Sequence, residues 1–375
     1  MDTSPLFTPF RYGPLELANR IVMAPMTRCF SPGGVPGPDV AAYYARRVEG
    51  GVGLVITEGT WVPHPLAANE DNAPRFHGED ALAGWRGVVD AVHAVGGRIM
   101  PQLWHVGLVE KPKIDNLYEG NADTGTPAAS SPSGIIKPGQ YGGEGATESE
   151  IADLIEAYAG AAANARDLGF DGVEVHGAHG YLIDQFFWSE TNDRTDRWGG
   201  SAAARARFGA EVVRAMRARV GPDFVIVFRF SQWKQQDYKA RLAASPDELA
   251  AYLAPLSDAG VDVFHASQRR FWESEFGGSD LNLAGWARKL TGRPAITVGS
   301  IGLGAEMLAT MFATEVADVD LGGLERLVAM VRDGEVDLAA VGRGLIADPD
   351  WPRKVAAGRL GELRPYERAA LASLV

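Results

Sequence analysis

The chain has almost no cysteine. Cys29 stands alone in 375 residues, so no internal disulfide can form, and a reducing, cytoplasmic setting fits. There is also no apolar run of the roughly 18 residues that a membrane span needs. The first residues, MDTSPLFTPFRYGPLELANR, lack a basic start followed by an apolar stretch, so no signal peptide is expected. Positive charge is the scarcer sign: 36 Lys and Arg against 48 Asp and Glu leave a net charge of −12. Such a field repels phosphate backbones and argues against a nucleic-acid partner. No linker, internal repeat or long low-complexity tract divides the chain, so residues 1–375 read as a single domain.

What is present is a repeated alternation. Short, almost wholly apolar runs start at Ile21, Gly53, Arg98, Gly172, Phe224, Val261, Pro294 and Leu338, with longer helical patterns between them. Continuous apolar runs of this length suit parallel strands buried on both faces. Eight such β-α units predict an α/β chain folded as a (β/α)8 TIM barrel, with a doubly wound open sheet as the alternative. Boundary signals support the helices. Thr147 and Glu150 form a capping box ahead of a helix that Gly169 ends; Ser245, Pro246 and Glu248 open one that Gly260 stops. Ser201 is expected to cap a helix with Phe208, Val212 and Met216 on one face. The first twenty residues are expected to form a hairpin that closes the barrel bottom. One segment breaks the repeat: 105–146, after the third strand, is rich in Gly, Pro, Ser and Asn, and reads as a lid insertion.

Two clusters of chemistry lie at predicted strand ends. The seventh strand runs into Val298-Gly299-Ser300-Ile301-Gly302 and the eighth into Val341-Gly342-Arg343-Gly344. Glycine-rich turns let backbone N–H groups approach a phosphate, and Ser300 and Arg343 add a hydroxyl and a charged fork. The loops after strands seven and eight are a common phosphate site in barrels. The G-x-G-x-x-A match at Gly342 is no dinucleotide fingerprint, because too little chain follows it for a further strand and its acidic residue. The second cluster follows the fourth strand: Val173–Val175 runs straight into His176, His179 and Tyr181. An H-x-x-H pair can bind metal, but a full site needs further ligands. Strand alternation is expected to turn Glu174 away from His176, and Asp184 falls in a helical stretch, so no metal site is assigned.

These motifs carry a resemblance. The stretches NRIVMAPMTR, PQLWH, GFDGVEVHGAHGYLIDQFFWSETNDRTDRWGG, ITVGSIG and VGRGLIADPDWPRKV, spread over nearly the whole chain, resemble the old yellow enzyme family of FMN-dependent ene-reductases. The resemblance implies a (β/α)8 barrel holding non-covalent FMN at the C-terminal strand ends, with NADH or NADPH as hydride donor. It implies that Pro25, Met26 and Thr27 run along the flavin, with the Thr27 hydroxyl near its C4 carbonyl; Cys29 stands two residues too late for that place. Gly59 would let the ring sit close. Gln102 and Arg229, polar residues inside apolar strands, need partners; flavin would supply them, with Arg229 facing its N1. Gly299, Ser300, Gly342 and Arg343 would hold the phosphate. His176 would touch flavin and substrate and His179 substrate.

The implied activity is reduction of the C=C bond of α,β-unsaturated carbonyl compounds or related activated alkenes. Hydride comes from flavin N5. The two imidazoles donate to the carbonyl oxygen, and Tyr181 gives the α carbon its proton from the opposite face. Trp104 and Trp272, and also Trp61 and Phe271, are candidates to line the mouth. Asn192, Asp193, Arg194, Asp196 and Arg197 read as a polar network fixing the loop after the catalytic strand. The expected partner is a small activated alkene or nitro compound, for a monomer or a homo-oligomer. Alternatives are a reductase of nitrate esters or nitro compounds on the same site, a flavin-binding sensor, and a metal-dependent barrel hydrolase.

Overall fold

A computed structural model of the chain describes residues 1–68, 70, 72–109, 130–312 and 316–375. Its centre is a closed barrel of eight parallel strands. In chain order the strands are β1 (Phe10–Tyr12), β2 (Leu15–Leu17), β3 (Ile21–Met23), β4 (Leu54–Trp61), β5 (Ile99–Trp104), β6 (Ile135–Lys137), β7 (Gln140–Tyr141), β8 (Gly172–His176), β9 (Val225–Ser231), β10 (Val263–Ser267), β11 (Ala295–Val298) and β12 (Leu338–Val341). The barrel order is β3, β4, β5, β8, β9, β10, β11, β12, and β12 returns to β3 through the pairing of Ala340 with Val22. All eight strands expected from the apolar runs are these eight. Closure removes every sheet edge, and the strands bury side chains on both faces.

Inside the barrel, residues two apart stack upward. Val22, Leu54, Ile56, Met100, Val225, Val227, Val263, Ile296, Leu338 and Ala340 form an apolar plug, completed from below by Phe10, Leu15 and Leu17 of the β1–β2 hairpin. That hairpin closes the bottom as anticipated. Outside, helices pack over the strands in one large apolar layer that includes Trp85, Tyr158, Phe208 and Leu256.

The helix boundaries follow their local chemistry. Thr147 accepts from the Glu150 amide, and Glu150 bonds back to the Thr147 amide, opening Glu148–Asp167. Ser245 caps Pro246–Ala259, and Gly260 ends it at φ 112°. The helix expected after Ser201 is divided into Ala202–Arg205 and Arg207–Val220. Phe208, Val212 and Met216 are buried along the second piece.

The expected lid, 105–146, lies outside the described residues over 110–129. Its far arm holds the antiparallel pair β6–β7. The root of that arm is tied down by Arg194, which donates to the carbonyls of Pro132 (2.8 Å) and Ala146 (2.6 Å). Asn192 donates to the carbonyls of Phe186 and Trp198, and Arg197 pairs with Glu148. The loop after β8 is the polar network its composition suggested.

Candidate active site

The upper interior of the barrel changes character within one step of two residues. Above Met100 sits Gln102; above Gly172, Glu174 and His176; above Val227, Arg229; above Val263, His265. Each of these polar side chains is buried. Glu174 binds them together: Gln102 Nε2 donates to its Oε1 at 2.7 Å, and His265 Nδ1 lies 2.6 Å from its Oε2. The expectation that Glu174 turns away from His176 is corrected here. Two residues apart on a strand share a face, so Glu174 and His176 both point into the barrel. The polar demand of the Gln102 amide is met in part within the protein by this carboxylate.

Arg229 stands beside the network with little satisfaction of its own. Its one described hydrogen bond is a long one, 3.3 Å from Nη2 to Ser267 Oγ, and its Nε is buried without a partner. Burial lowers its pKa, while the Glu174 charge opposes that shift. A buried guanidinium with free donors fits an anionic or acceptor-rich ligand at the strand ends.

His176, His179 and Tyr181 come together at the mouth. The two imidazole centroids are 5.0 Å apart and nearly perpendicular, and the Tyr181 ring lies 5.1 Å from His176. Burial, and next the Arg229 charge, hold both imidazoles well below the ordinary histidine range. They are therefore neutral at physiological pH. His176 Nδ1 faces the Ala178 amide at 3.4 Å, which leaves Nε2 to carry the ring proton. His179 adopts φ 68°, fixed by its amide on Ser231 Oγ (2.9 Å) and its Nε2 against Ser267 Oγ (2.7 Å). Tyr181 is pushed up to about 12 by burial, against the pull of a hydrogen bond from Gln235. It keeps its proton at neutral pH. Trp104 packs edge-on to Tyr181 at 5.4 Å, and the space a Cβ would take at Gly59 is closed by the same Trp104 ring, 3.2 Å away.

At the ends of β11 and β12, Ser300 and Arg343 meet: Arg343 Nη2 donates to Ser300 Oγ at 3.1 Å. The guanidinium also donates to the Ala305 and Glu306 carbonyls and to Thr310. Ser300 lies at φ 55° and Gly299 at φ 135°, where an added Cβ would fall 2.5 Å from the Gln268 carbonyl oxygen. This turn requires glycine. Gly342 is packed against Met26, whose sulfur would lie 3.3 Å from an added Cβ. The stretch after β3 thus reaches the phosphate-type turns: Pro25 is buried, Met26 half-buried and Thr27 exposed.

Other expected residues have different surroundings. The ring contact of Trp272 is with Phe271, which is fully buried, and Trp61 donates through its indole N–H to the Ala73 carbonyl. Asp184 is paired with Lys234 at 2.6 Å, both side chains wholly buried. Cys29 donates to Glu70 at 2.8 Å, and burial drives its pKa upward, which favours the protonated thiol.

Four participants escaped the sequence reading: His265, Ser267, Lys234 and Gln235. The signal was available for the last two. Trp233-Lys234-Gln235-Gln236 directly follows the strand of Arg229, a polar and aromatic run at a strand end much like the one after β8.

Comparisons with known proteins agree with the barrel fold. The model of the NADH:flavin oxidoreductase / NADH oxidase family matches residues 5–362. Among curated proteins, 12-oxophytodienoate reductase 7 of Oryza sativa subsp. japonica is 35% identical, over 92% of this chain and 86% of that one. A chanoclavine-I aldehyde reductase of Penicillium roqueforti (strain FM164) is 36% identical, over 97% and 92%. Among solved structures, morphinone reductase in complex with tetrahydroNAD superposes with a TM-score of 0.77 at 30% identity, over 98% of this chain and 93% of that one.

Proposed function

The chain belongs to the NADH:flavin oxidoreductase / NADH oxidase family, in its old yellow enzyme branch, and is an FMN-dependent NAD(P)H oxidoreductase that reduces activated alkenes; on that premise we propose how its own residues divide the work. The substrate class is α,β-unsaturated carbonyl compounds, which the names of the 12-oxophytodienoate, chanoclavine-I aldehyde and morphinone reductases support. Residues 1–375 form one flavin-binding domain, and the single cysteine favours a cytoplasmic setting.

FMN, when bound, takes hydride from the nicotinamide and supplies it to the alkene. Arg229 would hold the flavin, which its buried, unpartnered Nε supports. Ser300 and Arg343, with the backbone at Gly299 and Gly342, hold the phosphate. Pro25, Met26, Thr27, Gly59 and Gln102 complete the cradle. His176 and His179 donate to the substrate carbonyl oxygen. Being neutral, they stabilise the charge that develops there without giving up a proton. Ser267 Oγ already accepts from Arg229, so it can direct its own hydrogen to His179 Nε2 and leave Nδ1 as the donor of that ring. Tyr181 protonates the α carbon: its O–H breaks as the new C–H forms. Trp104, edge-on to Tyr181, bounds the substrate.

The carrying observation is the convergence of His176, His179 and Tyr181, the His176 ring centroid lying 5.0 Å from His179 and 5.1 Å from Tyr181, beside a buried arginine with free donors. An absorbance spectrum of the purified protein tests it. Bound FMN should bleach with anaerobic NAD(P)H and regain its colour when 2-cyclohexenone is added. A colourless protein, or colour that returns with a nitrate ester but not with the enone, overturns the reading.

A further inference from the structure

The turn that carries His179 and Tyr181 is gripped from outside by four consecutive residues. Trp233 stacks on the His179 ring, with centroids 4.3 Å apart and planes 23° apart. Lys234 Nζ reaches Asp184 at 2.6 Å, and Asp184 in turn accepts from the Gly180 amide at 2.7 Å. Gln236 Nε2 donates to the Gly180 carbonyl at 2.9 Å. Gln235 makes two contacts of different kinds. Its backbone amide donates to the His179 carbonyl at 3.1 Å. Its side-chain Nε2 donates to the Tyr181 hydroxyl oxygen at 2.7 Å.

The second contact is not needed to hold the loop. Backbone pairing, the Lys234–Asp184 pair and Gln236 already do that, and the Gln235 side chain is exposed. What the contact does set is the direction of a proton. An amide N–H can only donate, so the Tyr181 oxygen is the acceptor there, and its own hydrogen must leave along another direction.

We propose that Gln235 is a positioning residue for the protonation step: it turns the Tyr181 O–H away from the loop and toward the substrate, and its N–H remains to stabilise the phenolate. This rests on the reading of Tyr181 as the acid. In the step, the tyrosine O–H bond breaks and the electron pair stays on oxygen. The proton forms the C–H bond at the α carbon, and the phenolate later recovers a proton from water. The amide hydrogen bond strengthens as negative charge grows on the oxygen, so it favours the transition state over the resting tyrosine. The titratable groups facing Tyr181 are His176 on β8, Glu70 after β4 and Tyr238 beyond the Gln235 loop.

The FMN-loaded protein and its Gln235→Leu, Gln235→Glu, Tyr181→Phe and Tyr181→Phe/Gln235→Leu variants test this by anaerobic stopped-flow, following flavin reduction by NAD(P)H and reoxidation by 2-cyclohexenone separately. Gln235→Leu should slow reoxidation about tenfold, the usual scale for a lost hydrogen bond to a charged group, and leave reduction within about twofold. The double variant should be no slower in reoxidation than Tyr181→Phe, because without the hydroxyl there is nothing to aim. Gln235→Glu supplies a readout that a structural role would not move. Its carboxylate accepts the tyrosine hydrogen and traps it, whereas its protonated form can donate, so reoxidation should quicken as pH falls while the wild type changes little. Three results overturn the proposal: Gln235→Leu matching the wild type while Tyr181→Phe is slow, equal slowing of both half-reactions in Gln235→Leu, or a flat pH profile in Gln235→Glu. If Tyr181→Phe itself reoxidises at the wild-type rate, the acid assignment fails first.

Discussion

The lower and upper halves of the barrel interior are built from the same strands, yet they are held by different physics. Below, Met100, Val227, Val263 and Ile296 join one apolar cluster with Phe10, Leu15 and Leu17 of the hairpin. One step up the same faces, Gln102, Glu174, Arg229 and His265 form a buried polar layer in which Arg229 Nε and His265 Nε2 have no partner. Packed hydrocarbon satisfies itself; buried polar groups are costly until every donor and acceptor is matched. The plug is therefore complete as folded, whereas the upper layer has donors left for a ligand. Stability resides in one half and recognition in the other, and substitutions can test that division.

The largest effect should come where the mouth depends on a buried charge pair. Lys234→Met strands Asp184, both partners being fully buried at 2.6 Å, and should cost about 3–5 kcal/mol of unfolding free energy in a urea titration. Lys234→Met/Asp184→Asn should recover a good part of that loss, since no lone carboxylate is left behind. Equal destabilisation of both variants would mean that the loop is held by packing, as the plug is. Next is Tyr181→Phe, which removes a proton and almost no volume. Reoxidation of the reduced flavin by an enone should slow at least ~100-fold with reduction by NAD(P)H nearly unchanged. The melting temperature should barely move, because chemistry and stability are separable at this position.

A third effect is pH-dependent and comes from the stretch that carries Thr27. Glu58 lies under it, accepting the Arg28 and Cys29 amides at 2.8 and 2.9 Å on one oxygen, and burial pushes its pKa up to about 7. The folded value lies above the usual 4.5, so between the two the folded chain holds a proton that the unfolded chain has lost. Its contribution is full at low pH and is lost as pH rises through about 7. Glu58→Gln keeps an oxygen for the two amides and removes the ionisation. It should gain on the order of 2 kcal/mol relative to wild type at pH 8 and nothing at pH 4. A difference independent of pH would show that the carboxyl does not titrate there.

How much of this division could be read from the residues alone follows from range. The strands were legible because burial on both faces writes a continuous apolar run, as in Val225–Phe228, and because glycines and caps such as Thr147 punctuate what lies between. His176, His179 and Tyr181 were legible because they are neighbours in sequence. The upper polar layer was only half legible. Gln102 and Arg229 stand out as interruptions, but the hub of the layer, Glu174, joins Gln102 and His265, 72 and 91 positions away, and writes no local pattern. The side-chain period of two along a strand places Glu174 beneath His176, on the face that points into the barrel. The grip of Trp233–Gln236 on the catalytic turn depends on the adjacency of β8 and β9, which a strand list does not supply until the barrel closes.

The smallest effect should come from the plug. Ile296 is fully buried on β11, two residues below Val298 and four below Ser300, where the phosphate-type turn begins. Ile296→Val removes one methyl group and leaves a void too small for water, so it should cost about 1 kcal/mol of stability. FMN affinity, measured by fluorescence on titrating the apoprotein, should stay within a factor of two, and both half-reactions should keep their rates. The reason is geometric: the lost contacts are with hydrocarbon neighbours, and the Gly299–Ser300 turn is fixed separately, by the Ser300 hydroxyl, which donates to the Arg269 carbonyl and accepts from Arg343, and by the Gly299 carbonyl, which accepts from the Phe271 amide. If the variant instead loses FMN while its stability is almost unchanged, strain passes from the apolar layer into the polar one, and the two halves of the barrel act as a single unit.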